Sequence, residues 1–295
     1  MRNDGPIVLC GSLSLHPVSL GAAMHTAGYA AVGLPWVYCP FAMTSEKLPE
    51  GIRAMRALGI RGLGISMPFK LEVMPLLDRI DERAARIGAV NTVVRDGETL
   101  VGHNTDATGA VRALEEARAD VKGLDVLVLG AGGAARACVF GLVDAGARVT
   151  VANRTGGRAR ALAAAAGARA IDWEDALVQS GRFGAIVQAT SAGMDTAAAG
   201  PPSTESARDL DALRIEPGQV VMDIVYRPVQ TKLLVRAQAS GATTVHGGRM
   251  LLHQAAAQFS LYSGIPSLPA HVLGAMDEAL QSAIPKVNPT VDSTR

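Results

Sequence analysis

Lysine is the rare basic residue in this chain. Of 28 lysines and arginines only five are lysine: Lys47, Lys70, Lys122, Lys232 and Lys286. Four of them sit in charged or loop-like stretches. Lys70 closes Ile65-Ser66-Met67-Pro68-Phe69-Lys70, directly behind an apolar run. Arginine keeps its proton at neutral pH, whereas a lysine, at about 10.4 in water, can be tuned downward by desolvation. Lys70 therefore has the chemistry of a proton acceptor, and the same segment equally suits a lysine snorkelling from a strand end. A second polar group comprises Gly88-Ala89-Val90-Asn91-Thr92 and Gly102-His103-Asn104-Thr105-Asp106. Asp106 heads a helical stretch, and alone it reads first as an N-cap.

A third group carries a nucleotide signature. Gly130-Ala131-Gly132-Gly133-Ala134-Ala135 matches G-x-G-x-x-A between an apolar strand and a helix, where glycines permit a tight turn and close approach of the backbone to a pyrophosphate. Units selective for NAD place an acid some 20 residues on, to bind the ribose 2′-hydroxyl. Here the second strand ends in Asn153-Arg154-Thr155, with Arg158 one helical turn later. Arg154 and Arg158 can pair with a 2′-phosphate, and Asn153 and Thr155 can hydrogen-bond to it, so the pattern favours NADP.

These groups need a frame. Asp125–Gly130 and Arg148–Asn153 read as buried parallel strands joined by a helix from Ala131 to Ala145, followed by strands at Gly184–Ala189 and Gln219–Ile224 and a helix at Thr231–Ser240. Ahead of them lie a strand at Pro6–Cys10, a helix at Ala22–Gly33, a strand at Trp36–Pro40, a helix at Leu48–Leu58 and a strand at Gly62–Ser66. A hairpin pairs Thr92-Val93-Val94 with Thr99-Leu100-Val101 around Asp96-Gly97. Asp106–Ala119 reads as a connecting helix and Arg249–Ser263 as a late helix returning to the first domain. The tail, Pro285–Arg295, reads as frayed.

The expected fold is α/β: a Rossmann-type NADP-binding domain (122–246) and an N-terminal α/β substrate domain (1–106), with a cleft between them. A connecting helix (107–121) joins the domains, and C-terminal helices (247–295) return to the first. The 295 residues are 48% hydrophobic and 19% charged, enough for two cores. A net charge of +1 offers no footprint for nucleic acid or anionic lipid. Cys10, Cys39 and Cys138 form no disulfide framework, which points to a cytoplasmic protein, and the six histidines show no metal-ligand spacing, so no metal is expected. The start lacks a signal-peptide core, and no apolar run spans a bilayer. A small-molecule partner and a monomer or homodimer are expected.

The motifs together resemble the shikimate dehydrogenase family. The matches are Ser66-Met67-Pro68-Phe69-Lys70, Gly88-Ala89-Val90-Asn91-Thr92, Asn104-Thr105-Asp106, Gly130-Ala131-Gly132-Gly133-Ala134, Asn153-Arg154-Thr155, Ala189-Thr190-Ser191-Ala192-Gly193-Met194 and Gly248-Arg249-Met250-Leu251-Leu252-His253-Gln254-Ala255-Ala256. They occur in family order over roughly residues 7 to 263.

The resemblance implies an NADP-dependent oxidoreductase of aromatic amino acid biosynthesis that interconverts 3-dehydroshikimate and shikimate. Lys70 would be the general base and Asp106 its partner. Ser66, Asn91, Tyr226 and Gln254 would hold the substrate, and Met194 and Gly248 would border the nicotinamide, with Thr190 and Ser191 also at the cofactor.

The family's first loop, G-x-P-x-x-H-S-x-S-P-x-x-H, carries two serines that grip the substrate carboxylate. This chain has Gly11 to His25, two residues longer, and either register keeps only Ser19 unless Ser12 or Ser14 is brought in. That places it closer to the divergent, shikimate dehydrogenase-like branch. It leaves quinate or an aminoshikimate-like hydroxy acid as the alternative substrate, and a non-catalytic NADP-binding sensor as the reading from another class. Of the histidines, His25 is expected to make a local hydrogen bond, and His16, His103 and His253 to pack beside the site.

Overall fold

The computed structural model describes residues 7–118, 120–194 and 210–284; the tail read as frayed lies outside them. Two six-stranded sheets organise the chain. The first has the order β2-β1-β3-β5-β6-β4 and is built from β1 (Val8–Ser14), β2 (Trp36–Ala42), β3 (Gly62–Ile65), β4 (Arg79–Ile80), β5 (Thr92–Asp96) and β6 (Thr99–His103). β1 pairs in parallel with β2 and β3, whereas β5 runs antiparallel to β3 and β6.

The second sheet has the order β12-β11-β10-β7-β8-β9, from β7 (Asp125–Leu129), β8 (Arg148–Ala152), β9 (Arg169–Ala170), β10 (Ala185–Gln188), β11 (Val220–Asp223) and β12 (Thr243–His246). All its pairs are parallel. Read from β9, this is the doubly wound order 3-2-1-4-5-6, whose reversal between β7 and β10 makes a crevice at the strand C-termini.

The strands of the second sheet are apolar without interruption because both faces are covered. Val126 and Val128 enter one core with Val149, Val151, Val187 and Met222. Leu127 and Leu129 enter the opposite one with Ile186 and Val221. The first sheet divides the same way. Leu13, Leu63 and Ile65 face a core with Ile52, Met55 and Phe69. Cys10 faces the other side, where α1 (Leu20–Ala31) packs with α9 (Gly247–Ser263) and α10 (Ala270–Ala283).

β1 runs to Ser14, four residues past the Cys10 end read from sequence, because neighbours on both sides supply partners as far as Ile65 and Ala42. α1 begins at Leu20 and α9 at Gly247, each two residues before the expected starts. The helices expected after β2 and β11 are present as α2 (Leu48–Ala57) and α8 (Lys232–Ala239). The two-residue strands β4 and β9, and the helices α3 (Glu82–Ile87) and α7 (Trp173–Gln179), had no reading in the sequence, and α10 stood only within the expected C-terminal helices, without bounds of its own.

Helix α4 (Asp106–Ala117) lies between the two sheets' helical layers and is set by two glycines. A Cβ on Gly109 would stand 2.7 Å from the Met250 carbonyl oxygen and 2.9 Å from Cβ of Gln254, so α4 crosses α9 backbone to backbone. A Cβ on Gly141, in α5 (Gly133–Asp144), would stand 2.8 Å from the Ala107 carbonyl oxygen. Arg249 ties the same junction with a two-pronged pair to Glu116 and another to Asp277. Gly109→Ala should overpack the crossing and destabilise by about 1–3 kcal/mol. Gly274→Ala, in α10 with open space around it, should instead stabilise by about 0.5–1 kcal/mol. Urea denaturation of both variants checks the pair of signs.

Candidate active site

The cleft side of the first sheet gathers polar groups at the C-terminal ends of β1 and β3. Lys70 follows β3 in a turn held by the Val90 N–H donating to the Lys70 carbonyl oxygen at 2.8 Å. Its Nζ donates to Asp106 Oδ2 at 2.5 Å, with the lysine and aspartate side chains 18% and 8% exposed. Asp106 is the first residue inside α4 rather than its cap: Asn104 Oδ1 accepts from the Ala107 N–H, which frees the Asp106 carboxylate for the cleft. The positive end of the helix still favours its charge.

Asn91 completes this group. Its Nδ2 donates to Asp106 Oδ1 at 2.8 Å and to Thr105 Oγ1 at 2.9 Å, while its Oδ1 accepts from the Thr105 N–H at 2.7 Å and the Thr92 hydroxyl at 2.8 Å. Gln254 Oε1 lies 3.4 Å from both Asn91 Nδ2 and Thr105 Oγ1, bringing α9 into the cluster. Asn91 is buried and its amide is saturated by protein partners. Both carboxylate oxygens of Asp106 are thus met by donors from different elements, as a nearly buried charge requires.

The serines divide. Ser12 is half-buried and shares a hydrogen bond with the Tyr38 hydroxyl. Ser14 is buried and ends β1 on the same face as Ser12, one rung beyond the paired Leu13 and Ile65, where Ser66 continues β3. Ser19 is exposed, at the N-cap position of α1 with no side-chain capping bond. Tyr226 is half-buried and packs against the core formed by α1, α9 and α10, reaching it from the end of β11.

The nucleotide turn is shaped for close approach. Gly130 has φ +120°, and a Cβ there would stand 2.8 Å from the Ala189 carbonyl oxygen. A Cβ on Gly132 would meet nothing within 4 Å, and no side chain caps α5, so the N-terminus of this 12-residue helix is open to an anion. Ala131 is half-buried beside it, and Ala134 lies in the helix's first turn.

At the end of β8, Asn153, Arg154, Trp173, Thr190 and Ser191 line a cavity of about 90 Å³. Asn153 Nδ2 donates to the Thr155 carbonyl oxygen at 3.1 Å. Arg154 and Arg158 are exposed, and neither has an ion-pair partner among the described residues, whereas Arg160 lies 3.7 Å from Asp172. Met194 is half-buried, its N–H on the Ser191 carbonyl oxygen. Gly248 is buried where α9 starts, against His246 and Ile284. The two halves meet at the turn: Leu71, next to Lys70, comes within 3.9 Å of a Cβ position on Gly133.

The histidines sort themselves by burial. His16 is exposed. His103 and His253 line a separate groove of about 1180 Å³ with Arg83, Arg86 and Asp144, a groove that Lys70 and Asp106 do not line. The bond made by His25 is not local. Its ring stacks on Tyr38 with centroids 4.3 Å apart, and Nε2 meets Gln258 Oε1 at 3.4 Å, across 233 positions of sequence. Burial pushes the His25 imidazole down to about 4. Gln258 and Tyr38 had no reading in the sequence, and Thr92 and Thr105 stood only inside motifs, with no role of their own. Gln258 had one available signal, four residues beyond Gln254 on the same helix face.

Known proteins resemble the chain over both halves. The family model for the shikimate dehydrogenase substrate binding domain matches residues 16–93, and that for shikimate / quinate 5-dehydrogenase matches residues 112–198. Shikimate dehydrogenase (NADP(+)) of Methanothermobacter thermautotrophicus is 40% identical over 259 residues, 84% of this chain and 89% of its own. Shikimate 5-dehydrogenase of Thermus thermophilus, solved with NADP(H) and shikimate, superposes with a TM-score of 0.80 at 36% identity, over 94% of this chain and 99% of its own. Quinate dehydrogenase of Corynebacterium glutamicum, solved with NAD, gives 0.79 at 34% identity, over 94% and 100%.

The neutral His25 makes stability depend on pH. Its folded value lies below the 6.5 of a free imidazole, so its contribution is complete above pH 6.5 and is lost as pH falls toward 4, by about 3 kcal/mol in total. Denaturation of the wild type between pH 7 and 4 should show this loss, and His25→Phe should flatten that part of the profile.

Proposed function

Because the chain belongs to the shikimate dehydrogenase family, we propose that it interconverts shikimate and 3-dehydroshikimate with NADP(H), with Lys70 handling the proton. The observation that carries this reading is the Lys70–Asp106 pair at 2.5 Å, beside a segment whose Leu71 approaches the glycine turn. Substrate would lie between the two sheets' C-terminal edges, with residues 1–106 and the returning helices from 247 on one side and residues 122–246 on the other.

NADP supplies the hydride acceptor for oxidation and the donor for reduction. The chain's own residues do the rest. Gly130, Ala131, Gly132, Gly133 and Ala134 would cradle the pyrophosphate at the head of α5. Arg154 and Arg158 would pair with the 2′-phosphate, beside Asn153 and Thr155, and no acid stands at the strand end to repel it. Thr190, Ser191, Met194 and Gly248 would border the remainder.

In the oxidative direction the substrate hydroxyl gives its proton to Lys70 Nζ as its carbon loses hydride; in reduction Nζ returns it. Asp106 holds Nζ toward the cleft and compensates the charge of the ammonium form. Ser14, Ser66, Gln254 and Tyr226 would position the ring hydroxyls and carboxylate, with Ser12 bound to Tyr38 behind them. Ser19 would approach only from the exposed rim.

The reshaped first loop, which presents Ser14 from an extended β1, supports placing the chain in the divergent branch. It keeps quinate or an aminoshikimate-like hydroxy acid as the competing substrate.

NADPH formation followed with shikimate and with quinate tests the assignment. Lys70→Ala should lower kcat by about 10²–10⁴-fold while nucleotide binding is retained; an undiminished rate contradicts the role given to Lys70. Arg154→Ala with Arg158→Ala should raise KM for NADP on the order of tenfold for each charge-assisted hydrogen bond removed, with little change for NAD. Nucleotide binding without turnover of any hydroxy acid would favour the sensor.

A further inference from the structure

The catalytic group continues inward as an unbroken chain of buried hydrogen bonds. From Lys70 it passes through Asp106 to Asn91, whose Oδ1 accepts from the Thr92 hydroxyl. Thr92 Oγ1 in turn accepts from Gln258 Nε2 at 3.0 Å, and that same nitrogen lies 3.3 Å from the Asn91 carbonyl oxygen. Gln258 Oε1 faces His25 Nε2. Gly62 and Gly64 carry no side chains on this face: a Cβ on Gly64 would stand 3.1 Å from the Tyr38 hydroxyl and 3.3 Å from Gln258 Nε2. Tyr38, stacked on His25, and Gln258 close over the bare strand.

An amide carbonyl only accepts and an amide NH₂ only donates. Gln258 Oε1 must therefore receive a hydrogen, and among the described residues the one nitrogen facing it is His25 Nε2, which fixes the imidazole as its Nε2–H tautomer. His25 Nδ1 has no partner among the described residues, which suits a bare lone pair and not an N–H. With Oε1 committed to His25, the Gln258 NH₂ must point at Thr92 and at the Asn91 carbonyl. Thr92 Oγ1, receiving that hydrogen, turns its own toward Asn91 Oδ1. Asn91 then has its NH₂ toward Asp106. A flipped Gln258 would set its carbonyl against that of Asn91.

We propose that Gln258 and His25 are positioning residues that fix the direction of the outer part of this chain and so reinforce the Thr105 N–H in holding Asn91 Oδ1 inward, leaving Asn91 to present a donor, never an acceptor, to the carboxylate holding Lys70. The inference rests on the reading of Lys70 as the proton acceptor. It assigns a role to two side chains that touch neither substrate nor nucleotide.

Selectively ¹⁵N-labelled histidine in the wild-type protein gives the first test. His25 should appear as the neutral Nε2–H tautomer from pH 5.5 to 8; the Nδ1–H tautomer would overturn the proposal without recourse to any variant.

Kinetics give the second. His25→Phe keeps the ring but loses the donor, and His25→Gln places an amide donor in the same direction. His25→Phe and Gln258→Leu should each lower kcat on the order of tenfold with KM for shikimate within about twofold, and His25→Gln should recover most of the loss. Unchanged kcat in folded His25→Phe and Gln258→Leu, or no recovery in His25→Gln, overturns it. Lys70→Ala assayed in parallel separates the two readings: a large loss there beside unchanged His25 and Gln258 variants removes only this inference, whereas an unaffected Lys70→Ala removes the reading beneath it.

Discussion

A carboxylate withdrawn from water must have its charge answered at both oxygens, and the site is arranged around that requirement at Asp106. One oxygen takes Lys70 Nζ and the other the Asn91 amide, while the head of α4 contributes its dipole. Remove any one donor and a buried charge is left short, at a cost larger than the bond itself contributes. Three separated stretches must arrive together: the turn after β3, the stretch leading into β5, and the first turn of α4. The two close helix crossings at Gly109 and Gly141 leave α4 little freedom to slide or rotate, and so fix where Asp106 stands.

The same geometry explains why this site suits hydride chemistry on a polyhydroxylated ring. Among the described residues Lys70 brings the one amine of this cluster, so in the proposed role proton traffic has one destination, and apart from Asp106 the surrounding groups are neutral hydroxyls and amides that would orient a substrate without competing for the proton. The glycine turn and the arginines past β8 belong to the other sheet, whose C-terminal edge opens at the strand-order reversal. The halves meet near Leu71 and Gly133, and again at the neighbouring Arg136 side chain, which donates from Nε to the Ile87 carbonyl oxygen across the same junction.

What the sequence made legible follows from how each element is buried. The strands of the second sheet, covered on both faces, read as plain apolar runs, and the glycine turn between them reads from its context. Lys70 stood out because its residue type is scarce. The extension of β1 was hidden because Ser12 and Ser14 look like loop residues until neighbours on both sides pair with them. α9 was read as starting late because Gly247 and Gly248 seem poor helix formers, yet a Cβ on Gly247 would stand 2.2 Å from the Ile224 carbonyl oxygen. His25 and Gln258 were illegible as a pair because 233 positions separate them and Gln258 lies outside every motif.

The central claim concerns where one nitrogen stands when substrate is present. A crystal structure of the ternary complex with NADP⁺ and shikimate measures this directly. The account predicts Lys70 Nζ at about 2.6–3.2 Å from the hydroxyl oxygen of the carbon facing the nicotinamide, with its contact to Asp106 kept. A reactive hydroxyl bound to any other protein group, with Lys70 turned away from it, would contradict the account.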